Sequence, residues 1–312
     1  MAKQLNLNMI ETRRYKADEL LHYIDWTYFM HAWQFPVKYA TAASLHQCRA
    51  CQEGWIASFG KEQRNQAKEA LNLVLDALQM LHELDSKANV IGRVGLFDAN
   101  SLEDDIVITC DNGRQFVIPC LRQQTVVEGK PCYCLADFVR PRDYGNSDRI
   151  GVFATTVQFD IEKEYVGDSY KLMLAQTLCD RLAEAAACVF HLEVRRKIWG
   201  YAPDEELPLL DLLHEHYQGI RPAVGYPSLP DQSINFILDQ MIDMKEMGIT
   251  LTENGAMRPH ATVTGLMIAY PRAKYFAVGQ IDQVQLEDYA RRRGLPLERM
   301  RQFLAANLKT VS

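Results

Sequence analysis

DDIVITCDNGRQFVIPC, residues 104–120, decides the reading of the fold. Two runs rich in β-branched and aromatic side chains flank Asp111-Asn112-Gly113, and Asn-Gly supplies the positive φ angles of a tight turn between antiparallel strands. The stretch predicts a β-hairpin. Further strands are expected at 132–138 and 150–159, and ATVTGLMIAY (261–270) and KYFAVGQI (274–281) alternate around a proline-containing turn. Between these runs lie helical patterns. Residues 61–84 put Ala67, Leu71, Val74, Leu75, Leu78 and Leu81 on one stripe, and from 168 to 199 Leu172, Leu178, Leu182, Ala185, Val189 and Leu192 recur at helical spacing. Shorter helices are expected at 205–217 and 232–247, and Asp282, with Gln285 three residues on, caps a last helical region. There is no regular βαβ rhythm and no G-x-G-x-x-G after a strand, which argues against a dinucleotide fold. The expected class is therefore α+β: a twisted, mainly antiparallel sheet with long helices packed around it. Without repeats or low-complexity segments, residues 1–312 read as a single domain, helical to about residue 90 and mixed α/β over 91–312.

The composition narrows the partners. A net charge of −6 speaks against a nucleic-acid binder, which needs a basic face to displace counterions. Arg195, Arg196 and Lys197 read as a solvated helix face. MAKQLNLNMIETRRY at the amino terminus lacks the apolar core of a signal peptide, and no apolar run is long enough to span a bilayer, so a cytoplasmic protein without membrane contact is expected. Its eight cysteines are then expected as thiols. Cys48-x-x-Cys51 beside His46 has the form of half a zinc site or of a redox pair, but no second cysteine pair stands at finger spacing, and no metal is expected. His31, His191 and His260 read as packed or solvated side chains.

GIRPAVGYPSLPDQ (219–232) is a shaped loop, because Pro222, Pro227 and Pro230 exclude a helix interior and a central strand. Arg221 brings a fork of donors, Tyr226 an aromatic face and Gly225 a close backbone approach. Three other segments place charged or aromatic groups where a packed core would not choose them: Ile24 to Thr27, Asp180 to Glu184 and Lys274 to Phe276. Asp180 and Glu184, four residues apart, share a helix face. Acids, a guanidinium and aromatic rings together suit a zwitterionic ligand with a positive centre and a flat ring. Each also has an ordinary explanation: Asp25 as a helix cap, Glu184 as a solvated helix charge, Tyr275 as a strand former.

In their order along the chain, IDWTYFMHAW (24–33), GLFDANSLEDDI (95–106), LRQQ (121–124), YCLADFV (133–139), DRLAEA (180–185), WGYAP (199–203), YQGIRPAVGYPSLPD (217–231), LTENGAM (251–257) and KYFAVGQIDQVQLEDYARRRG (274–294) closely resemble the activation domain of cobalamin-dependent methionine synthase. The resemblance implies that the domain binds S-adenosylmethionine and rescues the synthase after its cobalamin has been oxidised to cob(II)alamin. A flavodoxin-type donor supplies the electron and S-adenosylmethionine the methyl group. Carried onto this chain, the family's binding site implies Asp25, Glu184, Arg221, Ala223, Tyr226 and Tyr275, with Gly225 leaving room for the ligand and Asp180 and Glu215 near the sulfonium. Such a domain is a methyltransferase component that contributes no catalytic acid or base and is incomplete alone. Val224, Gln232 and Arg258-Pro259-His260 depart from the family pattern, the last two toward its corrin face. No Asp-x-His-x-x-Gly cobalamin signature occurs, so the chain reads as a free-standing activation subunit whose cobalamin comes on a partner chain. Two other readings share the pocket: a sensor or regulatory module for S-adenosylmethionine without reactivation activity, and a methyltransferase with another acceptor.

Overall fold

The computed structural model describes residues 9–125 and 128–309. In chain order its strands are β1 (Met9–Tyr15), β2 (Asn89–Leu102), β3 (Asp105–Thr109), β4 (Gln115–Pro119), β5 (Asp148–Gln158), β6 (Thr250–Leu251), β7 (Met257–Arg258) and β8 (Thr262–Met267). Its helices are α1 (Ala17–Leu20), α2 (Trp26–Ala32), α3 (Arg49–Ala57), α4 (Arg64–Asp85), α5 (Ile161–Glu164), α6 (Ser169–Glu193), α7 (Leu209–Leu213), α8 (Asn235–Ile242), α9 (Gln283–Arg293) and α10 (Leu297–Phe303). Among these residues no helix is long and apolar enough to cross a membrane.

β2 is the hub of an antiparallel six-stranded sheet. One of its edges pairs with β5 from Asn89↔Gln158 to Ala99↔Asp148. The other is shared: β1 takes Val90 to Leu96, and the β3–β4 hairpin begins at Asp98. β8 adds to the outer edge of β5. The fold is α+β, as the hairpin implies, and the hairpin itself forms with Asp105 opposite Pro119 and Thr109 opposite Gln115.

Apolar burial on both faces holds the sheet. On one face α4 and α6 bury Val74, Leu81, Leu178, Leu182 and Phe190 against Val94 and Phe153; on the other α8 buries Leu238 and Ile242 against Ile106, Ile118 and Leu266. A third, smaller cluster joins α9 and α10 through Leu286, Tyr289, Met300 and Leu304. Each fully buried aliphatic or aromatic side chain contributes about 1.5–3 kcal/mol, so the two-faced core dominates stability.

Four expectations need correction. Residues 132–138 are not a strand: Leu135–Phe138 is a 3₁₀ turn whose start is closed by the Cys134 N–H donating to Asp137, 2.8 Å. Short apolar runs do not distinguish strand from buried turn. Residues 274–281 bury Val278 and Ile281 and half-bury Phe276 while exposing most of the residues between, but their backbone partners are scattered among Pro227, Asn307 and the Gln123 side chain, so no ladder forms. The helix expected at 205–217 shrinks to α7, which Glu215 follows at φ +61°. Arg195, finally, is not solvated. A π-helical turn over Val194–Ile198 extends α6 and directs Arg195 into the interior, where Glu205 receives it bidentately, Nε donating to Oε1 at 3.1 Å and Nη2 to Oε2 at 2.6 Å; Arg196 and Lys197 stay exposed.

Candidate functional site

The proline loop lies along the free edge of β8. Ile220 and Ile268 exchange both backbone hydrogen bonds at 2.9 Å, Leu266 donates to the Pro222 carbonyl at 3.0 Å, and Val224 donates to the Thr264 carbonyl at 2.8 Å. Proline fits here because the rung opposite Leu266 needs only its carbonyl. The approach is possible because residue 265 is glycine: a Cβ there would stand 2.2 Å from the Pro222 oxygen and 2.8 Å from Ala223 Cα. In this register Ala223 faces Gly265 as a non-hydrogen-bonded pair, so its amide and carbonyl turn away from β8, and the carbonyl takes the Tyr226 N–H at 3.2 Å. The far end of the loop is clamped. Asp231, 1 % exposed, accepts from the Ser233 N–H and hydroxyl (both 2.8 Å), Tyr289 (2.9 Å) and Arg293 (3.2 Å).

Arg221 hangs between those anchors. Its backbone N–H donates to the Tyr275 hydroxyl at 2.8 Å, and Tyr275 lies 3.1 Å, oxygen to oxygen, from Tyr217. The guanidinium carbon stands 5.9 Å from the centroid of Phe153, and Nη1 is buried without a protein partner. A buried guanidinium nitrogen without a partner is costly, and because Arg221 lines the cleft an anionic group entering there would satisfy it.

Opposite stands an acidic wall. Asp25 caps α2, its Oδ1 accepting from the Thr27 N–H at 2.8 Å and from the Thr27 hydroxyl, and it also lines the cleft: the ordinary and the functional readings of this residue both hold as placement. Glu184, from α6, accepts the Tyr226 hydroxyl at 2.5 Å, which ties this wall to the loop. Glu215 follows α7 into the same cleft. Between the walls is a space of about 900 Å³, reached also by Tyr23, Tyr28, Arg181, Ala223 and Tyr226. That volume lies within the range of small-molecule sites.

Burial raises the Glu215 carboxyl above its ordinary value, with the Arg221 charge opposing it. Burial also pushes Tyr275 up to about 12 and raises Tyr226, so both phenols keep their protons near neutrality. Beneath the floor, burial together with the Arg195 and Arg221 charges holds His191 well below its ordinary range; the neutral ring is a packed residue, as expected. The Arg195 guanidinium stacks 4.1 Å from the Tyr217 ring centroid.

Of the residues singled out from sequence, Asp25, Glu184, Glu215, Arg221, Ala223, Tyr226 and Tyr275 share the cleft. Asp180 does not line it. One turn before Glu184 on α6, it faces His260 at 3.5 Å, and burial raises its carboxyl against the pull of that imidazole. Gly225, at φ +88°, turns the loop beside Gln232 and is not part of the wall. Sequence reasoning passed over Tyr217 and Gly265. Tyr217 opens the motif YQGIRPAVGYPSLPD (217–231), but Gly265 carries no signal beyond being a glycine within a strand pattern, which marks a close backbone approach.

Residues 16–294 match a family model described as the activation domain of vitamin B12-dependent methionine synthase. The chain is also similar to a crystal structure of the MetH reactivation domain bound to AdoHcy, with 37% sequence identity and a TM-score of 0.84 over 98% of this chain and 92% of that one.

Proposed function

As the chain belongs to the family of vitamin B12-dependent methionine synthase activation domains, we propose that its cleft binds S-adenosylmethionine and presents the methyl group to a reduced corrin on a partner domain or chain. The observation that carries this reading is a cleft that brings Arg221, whose buried Nη1 has no protein partner, together with the carboxylates of Asp25, Glu184 and Glu215. Arg221 holds the methionyl carboxylate through two parallel hydrogen bonds. Asp25 and Glu184 each keep a carboxylate oxygen to accept from the amino group and the ribose. Glu215 stands as the nearest negative charge to the sulfonium, with Asp180 behind as a longer-range one. The outward N–H of Ala223 serves the adenine edge, while Tyr226 and Tyr275 give aromatic walls, Gly225 turning the backbone between them. The AdoHcy held by the related domain is the demethylated counterpart of this ligand.

A corrin held by the partner and reduced by one electron from a flavodoxin-type donor would supply the nucleophile for the methyl carbon, the sulfur keeping the electron pair of the broken bond; Arg221, Asp25, Glu184 and Glu215 of this chain would hold the methyl donor for that transfer. The protein moves no proton. Tyr226 and Tyr275 stay protonated, and the protein's share of the rate is orientation of the methyl in a loop whose backbone is already fixed. The setting is the cytoplasm, where flavodoxin-type donors operate.

The test is reconstitution. The protein is mixed with an inactive cob(II)alamin-bearing methionine synthase lacking its own activation domain, a flavodoxin reducing system and methyl-labelled S-adenosylmethionine. Label on the corrin with recovered synthase activity is expected. Tight ligand binding with no label on the corrin would make the chain a sensor.

A further inference from the structure

The connection into α3 gathers three metal-ligating side chains far from any residue of the cleft in sequence. Cys48 caps the helix, its Sγ accepting the Cys51 N–H at 3.4 Å, and its own N–H donates to His46 Nδ1 at 3.3 Å. These bonds fold the segment back so that one ligand atom from each of His46, Cys48 and Cys51 lies within 4.8 Å of the others. Both thiols are exposed and free, so an ion reaches them from solvent and the side chains can rotate.

We propose that His46, Cys48 and Cys51 bind Zn²⁺, with water as the fourth ligand. Tetrahedral zinc with Zn–S near 2.3 Å sets its sulfurs about 3.8 Å apart, within reach by rotamer change alone. The Cys51 N–H and the start of α3 favour the thiolate at Cys48, the form that ligates. Two thiolates and a neutral imidazole balance the charge of the ion. A disulfide would use the two sulfurs and leave His46 without a role, so the third ligand is what selects a metal over a redox pair. The bound ion ties the turn at Val37–Ser44 to α3, and α3 packs on α4. The site shares no residue with the cleft, so this inference stands or falls apart from the proposed function.

The full chain, reduced and stripped with a chelator, is titrated with Co²⁺. One equivalent should give near-ultraviolet thiolate charge-transfer bands and the visible bands of a tetrahedral ion, all lost on adding Zn²⁺. The Cys48→Ser/Cys51→Ser variant should show none of them while keeping wild-type circular dichroism, because both positions are exposed. His46→Ala should weaken Zn²⁺ binding by at least about 10-fold. Absence of the cobalt bands in the wild type, their survival in the double variant, or a Cys48–Cys51 disulfide formed in protein already supplied with stoichiometric Zn²⁺ would overturn the assignment.

Discussion

The two walls of the cleft are built by different means. On the loop wall the backbone does the positioning: residues 220–224 are laced to β8, Arg221 N–H is held by Tyr275, and Asp231 clamps the exit. On the acidic wall single side chains do it, Asp25 from a helix cap and Glu184 from the middle of α6. In the proposed complex the first would act as a rigid receptor for one group of fixed shape, and the second as a set of charges around it. Damage to the loop wall should therefore remove recognition, whereas damage to the acidic wall should grade it.

The largest effect belongs to Arg221→Ala. Among the described residues it deletes a buried guanidinium nitrogen of this wall that lacks a partner, and in the proposed complex it would leave the ligand carboxylate without its fork. Affinity for S-adenosylmethionine should fall by about 2 to 4 kcal/mol, or roughly 30- to 700-fold, by calorimetric titration. An unchanged Kd would take Arg221 out of the site and with it the distinction between the walls.

Next comes Gly265→Ala, which touches no ligand. The new Cβ meets backbone, the Pro222 oxygen at 2.2 Å, and neither strand can give without losing rungs. Unfolding should be easier by about 1–3 kcal/mol, and ligand affinity should drop as Arg221 is displaced. If stability falls while affinity holds, the loop does not owe its geometry to β8.

The same contrast explains what was legible. The β3–β4 hairpin was readable because Asn112-Gly113 encodes its turn locally. β2 was not, although it organises the sheet: covered on both faces it has no alternation, and Gly92 and Gly95 interrupt its run. Gly92 is there because Phe190 of α6 lies 2.9 Å from where its Cβ would be, a demand made by a residue almost a hundred positions away. Arg195 was misread for a similar reason, since its burial depends on a π turn and on Glu205 from the next loop. In the site, acids and the arginine declared themselves by residue type and by the order of familiar motifs. Tyr217 and Gly265 act through other residues, and only their neighbours in space give them meaning.

The smallest effect is expected at Glu215, the third carboxylate lining the cleft with Asp25 and Glu184. Its carboxyl titrates above the ordinary glutamate value because the cleft desolvates it more than Arg221 compensates. A sulfonium favours the ionised form, so binding lowers that pKa. Affinity for S-adenosylmethionine is then greatest above the free-protein pKa and declines as pH falls through it, by at most about tenfold per pH unit for one proton. S-adenosylhomocysteine carries the same amino and carboxylate groups but a neutral sulfur, so the ratio of the two affinities isolates the sulfonium from Asp25, Glu184 and Arg221. Between neutral pH and the carboxylate range that ratio should fall a few-fold in the wild type. Asp180, also raised and paired with His260, adds a weaker contribution of the same sign. Glu215→Gln should flatten most of the slope while leaving S-adenosylhomocysteine binding nearly unchanged. Parallel pH profiles for the two ligands would mean that the acidic wall does not read the sulfonium, leaving the loop wall to account for recognition by itself.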